Sequence, residues 1–217
     1  MDLEHFLKER LKYSQYFFTH ASRPFEDIIS AIEAEKPPYV PVYDESGEPQ
    51  YVQEWVDAST GLESVGITAL SMLASSLKLF LNDWVCRIEP RDKPYKRTSG
   101  NRGWFHAYKI ILKDVGLNLQ ECPADLELIE QVILARNRGQ HAESLINLRT
   151  THSENDLKKY PSPYFVSETD KRIIDFDDGD QSWWLTPHIF VDQEKLVQVT
   201  SEVEKMCVWL EECYRNT

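Results

Sequence analysis

The sequence has little of what would mark an exported, membrane-anchored or metal-built protein. Its four cysteines, Cys86, Cys122, Cys207 and Cys213, lie far apart without a C-x-x-C pair. In a chain of 217 residues that spacing is expected of free thiols in a reducing, cytoplasmic compartment rather than of a disulfide framework. The six histidines are scattered, and no His-x-x-x-His or Cys/His cluster offers tetrahedral ligand spacing, so neither a metal nor another cofactor is expected. Met1-Asp2-Leu3-Glu4-His5 lacks the basic start and apolar run of a secretory signal. No stretch reaches the roughly 18 uncharged apolar residues of a membrane helix. The most apolar segment, Ile67 to Val85, is interrupted by Lys78 and Asp83 and reads as a buried helix. Positive charge is scarce: 24 Lys and Arg against 36 Asp and Glu give a net charge of −12. Such a surface repels polyanions, so a nucleic-acid function would need a local basic patch or a partner that supplies one.

What is present is helical periodicity. Leu3, Phe6, Leu7, Leu11, Phe17 and Phe18 follow a helical spacing, and Pro24 is expected to open a second short helix carrying Phe25, Ile28, Ile29 and Ile32. Residues 36–50, with four of the eleven prolines, read as a loop. The apolar pattern from Val52 to Arg87 predicts the longest helix, with Gly61 and Gly66 as sites of bending. Trp104, Tyr108, Ile111, Leu112 and Val115 predict another, stopped near Gly116. A further helix starts at Pro123-Ala124-Asp125 and runs into Ala135-Arg136-Asn137. Beyond Thr150 the chain turns polar and acidic, and Lys171–Phe176 and Trp184–Val191 are expected to form short strands of a flap. Asp192 is placed to cap a last helix with Leu196, Val199, Val203, Met206 and Leu210 on one stripe. The expected architecture is an all-α, up-and-down bundle forming a single domain over 1–217. Within it, 1–35 is an N-terminal helical extension, 51–150 and 192–217 form the bundle, and 151–191 is an irregular acidic insertion with a small β flap.

Arg136-Asn137-Arg138-Gly139-Gln140-His141 follows an amphipathic helix and is itself strongly polar. It resembles the Arg, polar residue, spacer, His signature of the HEPN superfamily. The resemblance extends loosely over residues 50–215, and its sharp part is these six residues. It implies a HEPN-type helical bundle and a metal-independent endoribonuclease of a toxin–antitoxin or phage-defence setting. It also implies a homodimer with a composite cleft and a cognate antitoxin or defence partner. Two positions depart from the family pattern: Ala142 stands where a Gly commonly follows the His, and Gly139 lies inside the spacer.

The chemistry is consistent with these residue types. Attack of an RNA 2′-hydroxyl on its own phosphate needs a proton acceptor, a proton donor and charge stabilisation. Histidine titrates near neutrality, and arginine offers a permanently charged donor fork. The catalytic assignment is therefore His141 as general acid/base, Arg136 as phosphate stabiliser and Asn137, four positions before His141, as the residue that orients the imidazole. Five steps of roughly 100° set Arg136 and His141 about 140° apart on a regular helix. Either Gly139 breaks the helix, or two copies of the motif meet across a two-fold axis.

A basic stretch supplies candidate RNA contacts: Arg91, Lys93, Lys96, Arg97 and Arg102, with Arg87 at its start and Tyr95 and Trp104 interleaved. Arg138 joins them as a phosphate-contacting or solvated side chain. The bland reading is a solvated loop. Residues 168–180, with Asp170, Asp175, Asp177, Asp178 and Asp180, read as a solvated acidic loop, or as a shield of the cleft or dock for a basic partner. His106, His152 and His188 read as structural or exposed, and Trp183-Trp184 as packing. Two further readings stay open: a catalytically silent RNA- or nucleotide-binding module on the same bundle, and a helical interaction protein with a coincidental motif.

Overall fold

The computed structural model describes residues 2–42, 49–90, 94–97, 100, 103–140, 149–176 and 186–216, with backbone alone for 173–176. The chain is mainly α-helical, and among the described residues there is no strand. The helices are α1 (Leu3–Glu33), α2 (Val52–Ile88), α3 (Gly103–Asp114), α4 (Leu126–Gln140), α5 (Glu154–Lys159), α6 (Glu168–Phe176) and α7 (Gln193–Arg215).

Side-chain contacts fix the helix directions. Arg10 of α1 reaches Ser76 of α2, while the α1 end, at Glu33, accepts from the Trp55 indole near the start of α2. These two helices therefore run antiparallel. Trp84 donates to the Leu210 carbonyl and Arg87 pairs with Glu211 at 2.8 Å, whereas Gly66 lies against Val191, so α2 and α7 run the same way. The Asp125 amide, just before α4, donates to Glu202, and α4 and α2 meet at Gly139 and Ile67. Helices α1, α2, α4 and α7 thus alternate up and down around a core that includes Leu70, Leu73, Leu77, Leu81, Ile129, Val199 and Met206.

Local chemistry explains most boundaries. Asp2 caps α1 by accepting from the His5 amide, Asp125 accepts from the amides of Glu127 and Leu128, and Asp192 caps α7 by accepting from Lys195. Ser153 and Asp156 form a reciprocal capping box at α5. An 18-residue stretch of α2 is apolar enough by composition to cross a bilayer. Yet 56% of it is buried within the bundle, as in a core helix.

Two expectations need correction. Pro24 does not open a second helix: α1 runs through it for 31 residues. An interior proline removes a backbone bond and costs about 3 kcal/mol. Packing on both sides offsets that, because Phe18 and Ser22 are buried just before it and the Phe25 ring fills the space a side chain at Gly61 would need. Lys171–Phe176 is not a strand either; it lies in α6, whose first turn is capped by the Ser167 hydroxyl accepting from the Asp170 amide. Of the second expected strand, the described part makes only one antiparallel bridge, Thr151 to His188. The segment between α4 and α7 is anchored in the core by Phe165, Ile189 and Val191, all nearly inaccessible.

Candidate functional site

The last turn of α4 carries the basic residues of the motif. Arg136, Asn137 and Arg138 are all half-buried. Arg136 Nη1 donates to Asn137 Oδ1 at 2.9 Å, so the long side chain is folded back along its own helix. Its Nε is buried and has no hydrogen-bond partner among the described residues. Arg138 Nε donates to the Thr151 carbonyl at 3.0 Å, which ties the helix end to the segment crossing it. The C-terminal end of a helix is its negative pole, so these cations sit where the dipole favours them. Any anion bound here would depend on the guanidinium groups and not on the backbone.

Gly139 does not break the helix. α4 continues through it to Gln140, and the glycine is required for another reason: a Cβ there would overlap Cγ2 of Ile67 on α2. The missing side chain lets the two helices approach closely beside the motif. His141 lies outside the described residues, as does Ala142.

A second polar group surrounds the end of α4. Glu63 of α2 is almost fully buried and is held by Arg149 through a forked ion pair, with Nε at 3.0 Å and 3.1 Å from the two carboxylate oxygens. His152 is buried, and its Nε2 donates to the Phe165 carbonyl at 2.9 Å. Burial holds the imidazole below its ordinary pKa, the nearby Asp156 and Asp170 opposing that shift and Arg138 adding to it. The His188 amide donates to Asp170, and its Nδ1 is buried with no partner among the described residues. Sequence reasoning missed Glu63, Arg149 and Asp170 as members of this cluster. A lone acid on the apolar face of α2 was the available signal for Glu63; nothing local marks its partner, 86 residues away.

The basic stretch after α2 is divided. Arg91, Lys93 and Arg102 lie outside the described residues, and Lys96 is exposed. Arg97 is engaged inside the loop: its two terminal nitrogens donate to Glu89 at 2.8 Å and 2.9 Å, to the Tyr95 carbonyl and to Cys86 Sγ. The Glu89 hydrogen bond raises the guanidinium pKa further, and the same bond holds the Glu89 carboxyl below its usual range. Tyr95 and Trp104 pack against the core, with Lys78 over the Trp104 ring. Their rings serve the fold, and Trp183-Trp184 lies outside the described residues.

Compared with protein-family models, with curated proteins and with solved structures, the chain matches none.

Proposed function

We propose that the protein is a HEPN-type, metal-independent endoribonuclease of the toxin or defence kind, acting as a homodimer. The observation that carries this reading is the Arg136–Asn137 pair, joined at 2.9 Å on the last turn of an amphipathic helix of an all-α bundle. Those are the two leading members of the motif, and His141 follows four positions after Asn137.

In this reading the 2′-hydroxyl attacks the adjacent phosphorus and loses its proton to a His141 imidazole. The bond from phosphorus to the 5′-oxygen breaks, that oxygen takes a proton from an imidazolium, and a 2′,3′-cyclic phosphate and a 5′-hydroxyl result. Arg136 neutralises charge on the pentavalent phosphate. With Asn137 Oδ1 accepting from Arg136, the Asn137 amide nitrogen is the group left to orient an imidazole. Because α4 stays helical through Gly139, Arg136 and a helical continuation at His141 diverge within one chain. A site shared by two copies, Arg136 of one facing His141 of the other, removes the conflict. Lys96 and Arg138 would add RNA-backbone contacts, with Arg91, Lys93 and Arg102 beyond the described residues. A cognate antitoxin or defence partner belongs to the same proposal.

The binding-module reading has one observation in its favour: Arg136 is already engaged by Asn137, and its Nε is inaccessible. Purified protein incubated with total RNA in EDTA separates the two. Cleavage to cyclic-phosphate ends is expected, reduced roughly 10²- to 10⁴-fold in His141→Ala and in Arg136→Ala with folding intact. RNA bound but left whole at micromolar protein assigns the binding module, and RNA neither bound nor cut removes both.

A further inference from the structure

An acidic chain that handles RNA needs a local basic patch. One lies on α1. Between His5 and Phe25 stand four cations, Lys8, Arg10, Lys12 and Arg23, against the single acid Glu9, in a protein of net charge −12. Lys8 is engaged by Glu4 and Glu204. Arg10, Lys12 and Arg23 are exposed and form no ion pair among the described residues; Arg10 Nε donates to Ser76, which fixes the guanidinium at the edge of α2. The same helix carries exposed rings. Leu3, Leu7, Leu11 and Phe18 turn into the core, whereas Phe6, Tyr13 and Tyr16 are 56%, 60% and 57% exposed. Tyr13 and Tyr16 stack at 6.2 Å, and Tyr16 stacks on the exposed His20 at 4.0 Å, so these three rings form a continuous ridge. At 100° per residue, Lys12, Tyr13, Tyr16, His20 and Arg23 share an arc of about 100° opposite the buried stripe. Phe6 and Arg10 continue it to the lip of a groove of about 660 Å³ between α1 and α2.

Rings interleaved with unpaired cations bind nucleic acid in a particular form. Bases stack on the rings and phosphates pair with the cations, but only unpaired bases have free faces to offer. A surface built for an apolar protein helix would expose aliphatic side chains too; on α1 the exposed large apolar side chains are Phe6, Tyr13 and Tyr16, all aromatic. The ridge is also placed to serve the motif. Arg10 beside Ser76 and Phe25 against Gly61 fix the register of α1 on α2, the paired numbers adding to the same constant. That register sets His20 level with Gly66, next to Ile67, the residue that closes on Gly139 in the motif-bearing turn of α4. Because α1 and α4 both flank α2, their axes are at most two helix spacings apart, about 20 Å. A strand of several nucleotides spans that distance over the exposed Ser64 and Thr68 of α2.

We infer that the exposed face of α1 is a stacking platform for unpaired RNA. Tyr13, Tyr16 and His20 hold successive bases, Arg10, Lys12 and Arg23 hold the phosphates, and the strand leaves the platform at His20 toward the end of α4. As the naming of the form in which the substrate is taken, unpaired and read with little regard to base identity, this rests on the functional proposal above.

The test is binding, read by fluorescence anisotropy with a labelled oligoadenylate offered unpaired or annealed to oligouridylate. The His141→Ala protein in EDTA serves as the parent, so that the strand stays whole. The unpaired strand is expected to bind roughly tenfold or more tighter than the duplex. Tyr13→Ala combined with Tyr16→Ala is expected to weaken that binding at least tenfold, and Tyr13→Phe with Tyr16→Phe to keep it, since the ring and not the hydroxyl stacks. Lys12→Gln and Arg23→Gln should each lower the slope of log affinity against log salt by about 0.7. All these side chains lie on the exposed face, and circular dichroism checks that the helix is unchanged. An alanine pair that binds RNA as tightly as its parent would leave the ridge to a protein partner and overturn the proposal. Equal affinity for strand and duplex, the mark of charge attraction alone, would overturn it too. Unpaired RNA held on the ridge but left whole by the wild-type protein defeats the nuclease reading alone. RNA cut equally fast by wild type and by the alanine pair, with equal affinity, defeats this inference alone.

Discussion

Gly139 on α4 packs so closely on Ile67 of α2 that a single methyl group at position 139 would overlap the isoleucine's Cγ2. Glycine inside a helix normally costs about 1 kcal/mol relative to alanine. Here that cost is offset by the helix approach it permits. Gly139→Ala is therefore expected to destabilise the protein by about 1 kcal/mol net, because overpacking of about 2 kcal/mol outweighs the helix-propensity gain. Urea denaturation checks this, and Ile67→Ala in the same chain should relieve the clash. A G139A protein more stable than wild type would show that α2 and α4 are not held at this distance.

Glu63 and Arg149 join the middle of α2 to the segment after α4 by an ion pair whose carboxylate is buried and whose guanidinium is about one-third exposed. Removing the cation strands a charge in the core. Arg149→Met is expected to cost about 3 kcal/mol, the lower end for a buried pair because the arginine side is partly solvated. Glu63→Leu combined with Arg149→Met should recover most of that loss in the same denaturation experiment. Equal stability of the single and double variants would mean that the pair contributes through something other than charge compensation.

His152 makes stability depend on pH in a defined window. Its folded pKa is held below the ordinary value by burial. As pH falls through about 6.5, the unfolded chain takes up a proton that the folded chain refuses, so stability is lost on acidification. The loss continues down to the depressed folded value. His152→Gln keeps a donor for the Phe165 carbonyl but has no proton to gain, so its melting temperature should fall less than that of wild type between pH 6.5 and 5. Parallel profiles for the two proteins would remove His152 as the source.

Much of the helical order is legible locally. The apolar stripes of α2 and α7, the caps at Asp2, Asp125 and Asp192, and the α3 stop near Gly116 all follow from spacing and side-chain chemistry within a turn or two. The α6 cap was also present, in Ser167 followed three positions later by Asp170. The β-branched pair Ile173-Ile174 pointed toward a strand, and over so short a segment the two periods are not separable. Arg97 illustrates the opposite limit. A cation in a basic stretch reads as a phosphate contact until Glu89, eight residues back, is seen to hold it.

The sequence alone determined that this chain is helical, where its main helices lie and which six residues carry a recognisable chemical pattern, because periodicity, capping and motif spacing are properties of neighbours along the chain. Only the tertiary structure decided that α1 runs unbroken past Pro24, that Gly139 serves helix approach instead of a break, and that Glu63 meets Arg149. Those outcomes depend on groups brought together from dozens of residues apart, where packing and desolvation outweigh local preference.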